Sequence, residues 1–478
     1  MSSTIESNFP LIEPLQVPSP LAAFRAIAHL PHAFLLHSAV HDRRSRWSFF
    51  GADPFAVFRA DEYDSGVELW RRLAVLDRRD EPTPSAVPFT GGMVGYWSYD
   101  FGRRLETLPT MARDEVKLPD VLLAFYDVIG AYDHERRQAW LFSSGLPLFD
   151  AWRRGRAEQR LDQFQDTLAS GRRALAPLAT PSVEPIHAAS TLTPANYRSA
   201  VERIQRHIAD GDLYQANLSQ RWRLERSGDD VLAVGIALAE ALEVVSPAPF
   251  SSVITAPDHV VVSASPERFL RLENRRVETR PIKGTRPRSS DPVEDARLAA
   301  ELLASAKDRA ENVMIVDVLR NDLGRVCGPG TIETPALCEL ESFAQVHHLT
   351  STVTGTLRAG TDAFDLLHAC FPGGSITGAP KIRAMEILDQ LEPVRRHIYT
   401  GAIGYVGWNG DADWSIAIRT ALVTADGVRF AAGGGITADS DAEEEYRECL
   451  HKAEGMRRAL ERVFGPIVLD STLAGATR

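Results

Sequence analysis

Cysteine is scarce. The chain has four in 478 residues, Cys327, Cys338, Cys370 and Cys449, and none stands in a CxxC pair. That spacing excludes a disulfide framework and a thiolate zinc site, and predicts four reduced, structural thiols. Long apolar runs are missing as well: residues 260–262 and 313–316 fall far short of the roughly 20 that span a bilayer. The opening MSSTIESNFP lacks the basic stretch and apolar run of a secretory signal, so the expectation is a cytoplasmic protein. Positive charge is in deficit, with 53 Lys+Arg against 64 Asp+Glu and a net charge of −11. Such a polyanion is a poor partner for nucleic acid or an anionic membrane, although a locally basic pocket for a small anion stays open. No fixed-period repeat is present, and neither GxGxxG nor GxxxxGK[ST] occurs in a strand-to-helix context, which removes solenoids and the common nucleotide-binding folds. What remains, 44% apolar and 24% charged residues, is an ordinary globular composition with ample length for a core.

Short apolar stretches at residues 32–38, 47–50, 91–99, 121–132 and 138–143, separated by turn residues, predict antiparallel hairpins. A charged helix follows over 149–170, and the Ala/Pro-rich residues 174–185 read as a linker. The expected organisation is an N-terminal region at 1–172, a linker at 173–192, a catalytic region at 193–466 and a tail at 467–478. In the catalytic region Thr193-Pro194 starts a helix that Asp210-Gly211 stops, Asp291-Pro292 starts another, and Ser305 with Asp308 resembles a capping box. Strands and helices come in groups without regular βαβ alternation, so the fold class is α+β.

Four constellations can carry chemistry. In Arg280-Pro281-Ile282-Lys283-Gly284-Thr285-Arg286-Pro287-Arg288, neighbouring arginines would lower the pKa of Lys283, as a nucleophilic amine requires, and two prolines would bracket a rigid loop. Glu267, at the start of the same predicted hairpin, lies within reach of that lysine and suits the protonation of a departing hydroxyl. Asp308 and Glu311 share one helical face, and Glu445, Glu448 and Lys452 another; between Asp439 and Glu448 there are six acids against one base. A few carboxylates plus water are what Mg²⁺ accepts. Finally, Gly373-Gly374-Ser375-Ile376-Thr377-Gly378 is read as a turn opening a helix, and Gly433-Gly434-Gly435 as a turn after a strand; both are candidate anion cradles.

Taken together these residues resemble the chorismate-utilising enzymes, a family that includes anthranilate, aminodeoxychorismate, isochorismate and salicylate synthases. The resemblance spans nearly the whole chain and is strongest at residues 311–325 (ENVMIVDVLRNDLGR), 347–352, 371–386 (FPGGSITGAPKIRAME) and 432–452. It implies large antiparallel sheets packed as a sandwich with helices outside. Gln215 matches the position where water-using members carry a lysine, and Lys283 stands where anthranilate synthases typically carry alanine. That combination is similar to the aminodeoxychorismate synthase branch, as are residues 35–38 and 91–104 (GGMVGYWSYDFGRR).

The resemblance implies a mechanism and a set of roles. Lys283 would attack C2 of chorismate as the C4 hydroxyl leaves, with Glu267 as general acid, and ammonia would then add at C4 and expel the lysine. Glu311 and Glu448 would hold Mg²⁺, supported by Asp308 and Glu445. His348 would lie near the departing hydroxyl. Gln215, Thr285, Ser375, Thr377, Gly378, Tyr399, Arg419, Gly434, Gly435 and Lys452 would bind the substrate. No GxCxG glutaminase elbow is visible, so a separate glutaminase subunit would deliver ammonia. Some relatives bind tryptophan in the N-terminal region; here Ser38 is retained but His37 replaces the acidic residue common in feedback-inhibited members, which argues against regulation and leaves tryptophan binding open. The rival readings are an anthranilate synthase component and a non-catalytic subunit that senses tryptophan or chorismate.

Overall fold

The computed structural model describes residues 9–40, 45–77, 87–170, 178–342 and 346–473. Two sheets organise them. Across the larger, neighbours run Leu11–Leu15, Gln138–Ser143, Val128–Asp133, Trp47–Gly51, Phe34–His37, Phe250–Thr255, His259–Ser265, Thr420–Thr424, Gly427–Ile436, Gln215–Glu225, Ile186–Ser190 and Ile467–Leu473. The short strand Gly378–Ala379 adds to Gln215–Glu225. The smaller runs Ile282–Pro287, Val346–Thr356, Arg276–Thr279, Arg268–Glu273, Ala412–Ile416, Ala402–Gly407, Gly92–Trp97, Val121–Tyr126 and Ala56–Arg59, with Glu333–Ser342 on Val346–Thr356. Within the two sheets the described strands pair antiparallel, except Ile467–Leu473 with Ile186–Ser190.

Burial explains the layering. Alternate residues of a strand face opposite sides, so Phe34, Phe49, Ile129 and Phe142 of the larger sheet meet Val94, Tyr96, Leu122 and Tyr405 of the smaller in one core between them. The outer face of the larger sheet, with Leu218 and Trp222, is covered by helices carrying Phe24, Tyr197, Leu238 and Leu460. The outer face of the smaller, with Leu270 and Trp414, is covered by helices carrying Trp70, Val316 and Phe364. This is the α+β sandwich with outer helices that the sequence led us to expect. No helix of the described residues is long and apolar enough to cross a membrane, and all four cysteines are free and buried.

Capping sets the helix starts. Thr193 accepts from Asn196 N ahead of Pro194–Ala209, Asp291 from Val293 N ahead of Pro292–Ala304, and Ser305 from Asp308 N ahead of Ala306–Gly324. Each satisfies one of the orphan donors of a first turn. Asp441 caps Ala442–Phe464, with Glu443, Glu444 and Glu445 in its first turn.

Several local expectations change. Strands on both sides of residues 173–192 are woven into both sheets. The expected linker contains the strand Ile186–Ser190, while residues 171–177 lie outside the described residues; the expected tail contributes Ile467–Leu473. The lysine segment is a strand, not a loop: Arg276–Thr279 and Ile282–Pro287 run along the same neighbour, interrupted at Arg280-Pro281. Gly433-Gly434-Gly435 lies inside the strand Gly427–Ile436, paired with Leu218 and its neighbours. Residues 374–378 do not open a helix directly, because a single 3₁₀ turn and the strand Gly378–Ala379 precede Lys381–Leu391.

Candidate active site

The lysine strand brings its amine to the turn at 374–376. Lys283 Nζ donates to Ser375 O at 3.3 Å, and Ser375 Oγ donates to Glu267 Oε1 at 2.9 Å. One serine therefore ties the candidate nucleophile to the candidate acid. Glu267 is 7% exposed, and burial pushes its carboxyl up to about 7, opposed by the Ser375 hydroxyl and by Lys283. That favours the neutral acid by roughly 3 kcal/mol relative to a solvated glutamate. Burial also holds the Lys283 amine below the usual lysine range; Glu311 opposes that, and Lys452 adds to it. The arginines expected to do this do not. Arg280 pairs with Glu341, Arg286 with Glu301 at 2.9 Å and Asp308 at 3.4 Å, and Arg288 with Asp295 at 2.8 Å, so each is matched by an acid.

Gly284 forms the bulge between Lys283 and Thr285 with φ 77°, a region that side chains rarely adopt. A Cβ there would sit 3.0 Å from Asp308 Cβ and Cγ, so Asp308 packs under the lysine strand, where Arg286 Nη2 reaches its Oδ2 at 3.4 Å. Thr285 is exposed and its hydroxyl meets His348 Nδ1 at 2.8 Å. His348 is 8% exposed, and burial followed by Arg419 pushes its imidazole down to about 4, so it is neutral at pH 7.

The acidic set comes from two helices. Glu448 pairs with Lys452 at 2.6 Å, one turn apart, and Lys452 Nζ also donates to Gly433 O at 3.2 Å. Glu445 is 5% exposed and accepts from Ser440 Oγ at 2.7 Å. Burial raises the carboxyls of Glu311 and Glu445, and a neighbouring acid raises each further: Asp308 for Glu311, Glu448 for Glu445. Gly434 gives this set access to the sheet, since a Cβ on it would lie 3.0 Å from Glu445 Oε2, 3.8 Å from Lys452 Nζ and 4.0 Å from Glu448 Oε1. No group of three or more His, Cys, Asp or Glu side chains among the described residues is arranged to hold a metal alone. Mg²⁺ commonly takes only one or two carboxylates, with water and substrate completing its shell. Glu311, with Asp308 beside it, and Glu448, with Glu445 beside it, fit that donor set.

Around these groups stand the expected substrate contacts. Arg419 has left-handed backbone (φ 50°) and keeps part of its surface exposed; desolvation by the surrounding protein holds its guanidinium below the usual range, with no carboxylate among the described residues offsetting it. Such a cation suits an incoming carboxylate. Gln215 is 1% exposed with Oε1 unpaired, and a Cβ on Gly435 would fall 2.1 Å from its Nε2, so only glycine leaves the amide its place. Thr377 is fully buried and its hydroxyl donates to Gly373 O at 3.0 Å, bracing the turn, while Gly378 is the residue that pairs with Ala216. Tyr399 is 8% exposed beside the turn at Thr400. Ser38 lies apart in the N-terminal strands, its hydroxyl donating to Trp47 O at 2.8 Å and to Pro249 O at 3.3 Å.

Sequence reasoning missed Glu392 and Arg396, a buried ion pair behind the turn at 374–376. Their four-residue spacing was readable, but the helix Lys381–Leu391 ends before both and Pro393 follows, so helical periodicity could not assign them a shared face. It also missed Lys307, one turn before Glu311, whose charge opposes the rise at Glu311 and Glu445 and adds to the lowering at Glu448.

Residues 32–458 match the chorismate binding enzyme family. The chain is 41% identical to aminodeoxychorismate synthase component 1 of Salmonella typhimurium, over 92% of this chain and 95% of that one. It is 40% identical to anthranilate synthase component 1 of Streptomyces coelicolor, over 93% and 87%. Among solved structures it resembles anthranilate synthase component I of Streptococcus pneumoniae, with a TM-score of 0.73 and 30% identity over 87% of this chain and 93% of that one. The isochorismate synthase MenF of Escherichia coli, at 19% identity, shares the fold with a TM-score of 0.70 over 95% of each chain. The fold is shared with these solved structures, and the chain belongs to the chorismate-binding enzymes.

Proposed function

We propose that the protein is the chorismate-aminating component of an aminodeoxychorismate synthase, converting chorismate and ammonia to 4-amino-4-deoxychorismate on the route to para-aminobenzoate and folate. Identity to relatives does not separate this from anthranilate synthesis, since the two groups match almost equally well. The observation that carries the reading is Lys283, tied through Ser375 to a glutamate whose carboxyl is held near 7.

The neutral amine of Lys283 bonds to C2 of the ring. The diene electrons shift around the ring to C4, and the C4–O bond breaks, the hydroxyl leaving as water with the proton of Glu267. Ammonia then bonds to C4, the electrons return, the C2–N bond to Lys283 breaks to release its neutral amine, and the proton lost from the new C4 ammonium restores Glu267. The balance is chorismate plus ammonia giving aminochorismate plus water. Glu311 and Glu448 would hold Mg²⁺, with Glu445 and Asp308 in support; when bound, the ion would supply positive charge against a substrate carboxylate. Arg419, Tyr399, Gln215, Lys452 and the backbone at 375–378 and 434–435 orient the two carboxylates. His348, neutral and held by Thr285, faces the leaving hydroxyl. A separate glutaminase supplies ammonia, in keeping with the "component 1" of the relatives' names, and the protein works in the cytoplasm. A tryptophan, if one binds, would sit in the N-terminal region near Ser38.

The test is the product. Chorismate with Mg²⁺ and ammonium should give aminodeoxychorismate with its enolpyruvyl group intact; fluorescent anthranilate with pyruvate release would overturn the reading.

A further inference from the structure

Residues 91–104 supply no group to the chemistry above, yet they end against a buried arginine at its back. Arg396 is 6% exposed and Glu392 7%. Every N–H of the guanidinium is used. Nε donates to Glu392 Oε2 at 2.8 Å, Nη1 to Ile376 O at 3.0 Å and Thr400 Oγ1 at 3.3 Å, and Nη2 to Glu392 Oε1 at 2.7 Å and to Asn217 O. Glu392 Oε1 also accepts from Ser219 N and Ser219 Oγ, both at 2.9 Å. The Tyr99 ring lies 4.6 Å from the guanidinium carbon. Tyr99 N donates to His397 O at 2.7 Å, and Asp100 accepts from His397 N at 2.9 Å and from Arg103 Nε at 2.9 Å.

The acceptors belong to three separate segments of the substrate site. Ile376 lies between Ser375 and Thr377. Asn217 is two residues from Gln215 and pairs directly with Gly435. Thr400 adjoins Tyr399. Burying an ion pair is a weak source of stability because desolvation offsets the attraction, so conservation of net stability gives no reason for it here. A planar fork of five donors does something an ammonium cannot: it fixes several acceptors at set angles at once. We propose that Arg396 is a positioning residue for chorismate, its guanidinium holding the 375–378 turn, the Gln215–Gly435 strand pair and the Tyr399 turn in mutual register, with Tyr99 and Asp100 of the N-terminal half as its seat. The N-terminal half thereby sets the affinity for a substrate it does not touch.

The inference rests on chorismate as substrate and not on which product forms, so a wrong product would sink the amination reading and leave this comparison intact. Chorismate Kd by fluorescence titration, and KM and kcat with ammonium, are measured on the full chain and on Arg396→Lys. The expected result is a Kd and KM at least about tenfold higher in the folded variant, with a smaller fall in kcat at saturation. A purely structural role would lower the melting temperature and the active fraction and leave Kd unchanged; a folded Arg396→Lys with wild-type Kd overturns the proposal. If Arg396→Lys does not fold, Thr400→Val removes one acceptor and keeps the ion pair. A Kd raised about threefold supports the proposal there, and an unchanged Kd overturns it.

Discussion

At Lys283 and Glu267 the productive arrangement has one proton between two groups, placed on the glutamate. Two protons leave the amine charged and none leaves the hydroxyl without a donor, so the pair titrates as a unit. With the carboxyl raised to about 7 and the amine lowered from 10.5, formation of the lysine adduct rises with pH to about 7, levels, and falls before free lysine would titrate. Quenched mass spectrometry of the Lys283 peptide, with chorismate and no ammonia, measures this; an acid limb near the ordinary glutamate value of 4.5 would remove Glu267 from the acid role. Ser375→Ala, which takes away a hydrogen bond to the ionised carboxylate, moves the acid limb upward. Lys283→Ala abolishes the adduct and lowers ammonia-dependent turnover by at least about a hundredfold. The identities of these residues were readable from their types and spacing. What lowers the lysine's amine was not, because the acids that pair with its neighbouring arginines, Glu341, Glu301 and Asp295, come from other elements.

Elements place those residues, and two carry separable consequences. The strand Ile282–Pro287 owes its bulge to Gly284, whose positive φ leaves Asp308 and Leu302 no space for a Cβ. Gly284→Ala should therefore cost about 1–3 kcal/mol of stability by urea titration and slow adduct formation as well. The helices Ala306–Gly324 and Ala442–Phe464 bring Glu311 and Glu448 to one site. Glu311→Gln or Glu448→Gln raises the Mg²⁺ concentration for half-maximal activity tenfold or more, and chelation by EDTA stops turnover in the wild type. Helix starts were legible because a cap and its partner lie within one turn. The glycine strand and the lysine strand were misread as turns because what makes them strands is pairing with Gln215–Glu225 and Val346–Thr356, which local sequence does not contain.

For the whole molecule, the sheets ignore the division that the sequence suggested. Gly92–Trp97 pairs with Ala402–Gly407, and Phe34–His37 with Phe250–Thr255. A fragment of residues 178–473 would expose Ile254, Val261, Ile403 and Tyr405 of the core between the sheets. It is expected to show no cooperative thermal transition by near-UV circular dichroism; a fragment that folds and binds chorismate would make the N-terminal half dispensable. The intact chain should use ammonium but not glutamine until a glutaminase is added.

That weaving has a consequence in time. Thr255 closes onto Ala33 across 222 residues of chain, so while the protein is being made the strand Phe34–His37 leaves the ribosome with Trp47–Gly51 close behind but long before its other neighbour, Phe250–Thr255, exists. Pairings this distant form slowly, and an unpaired strand edge invites association with other chains. The first half must wait, half-assembled and sticky, for the second, which makes the yield of this enzyme in a cell a matter of translation speed and chaperone supply as much as of final stability.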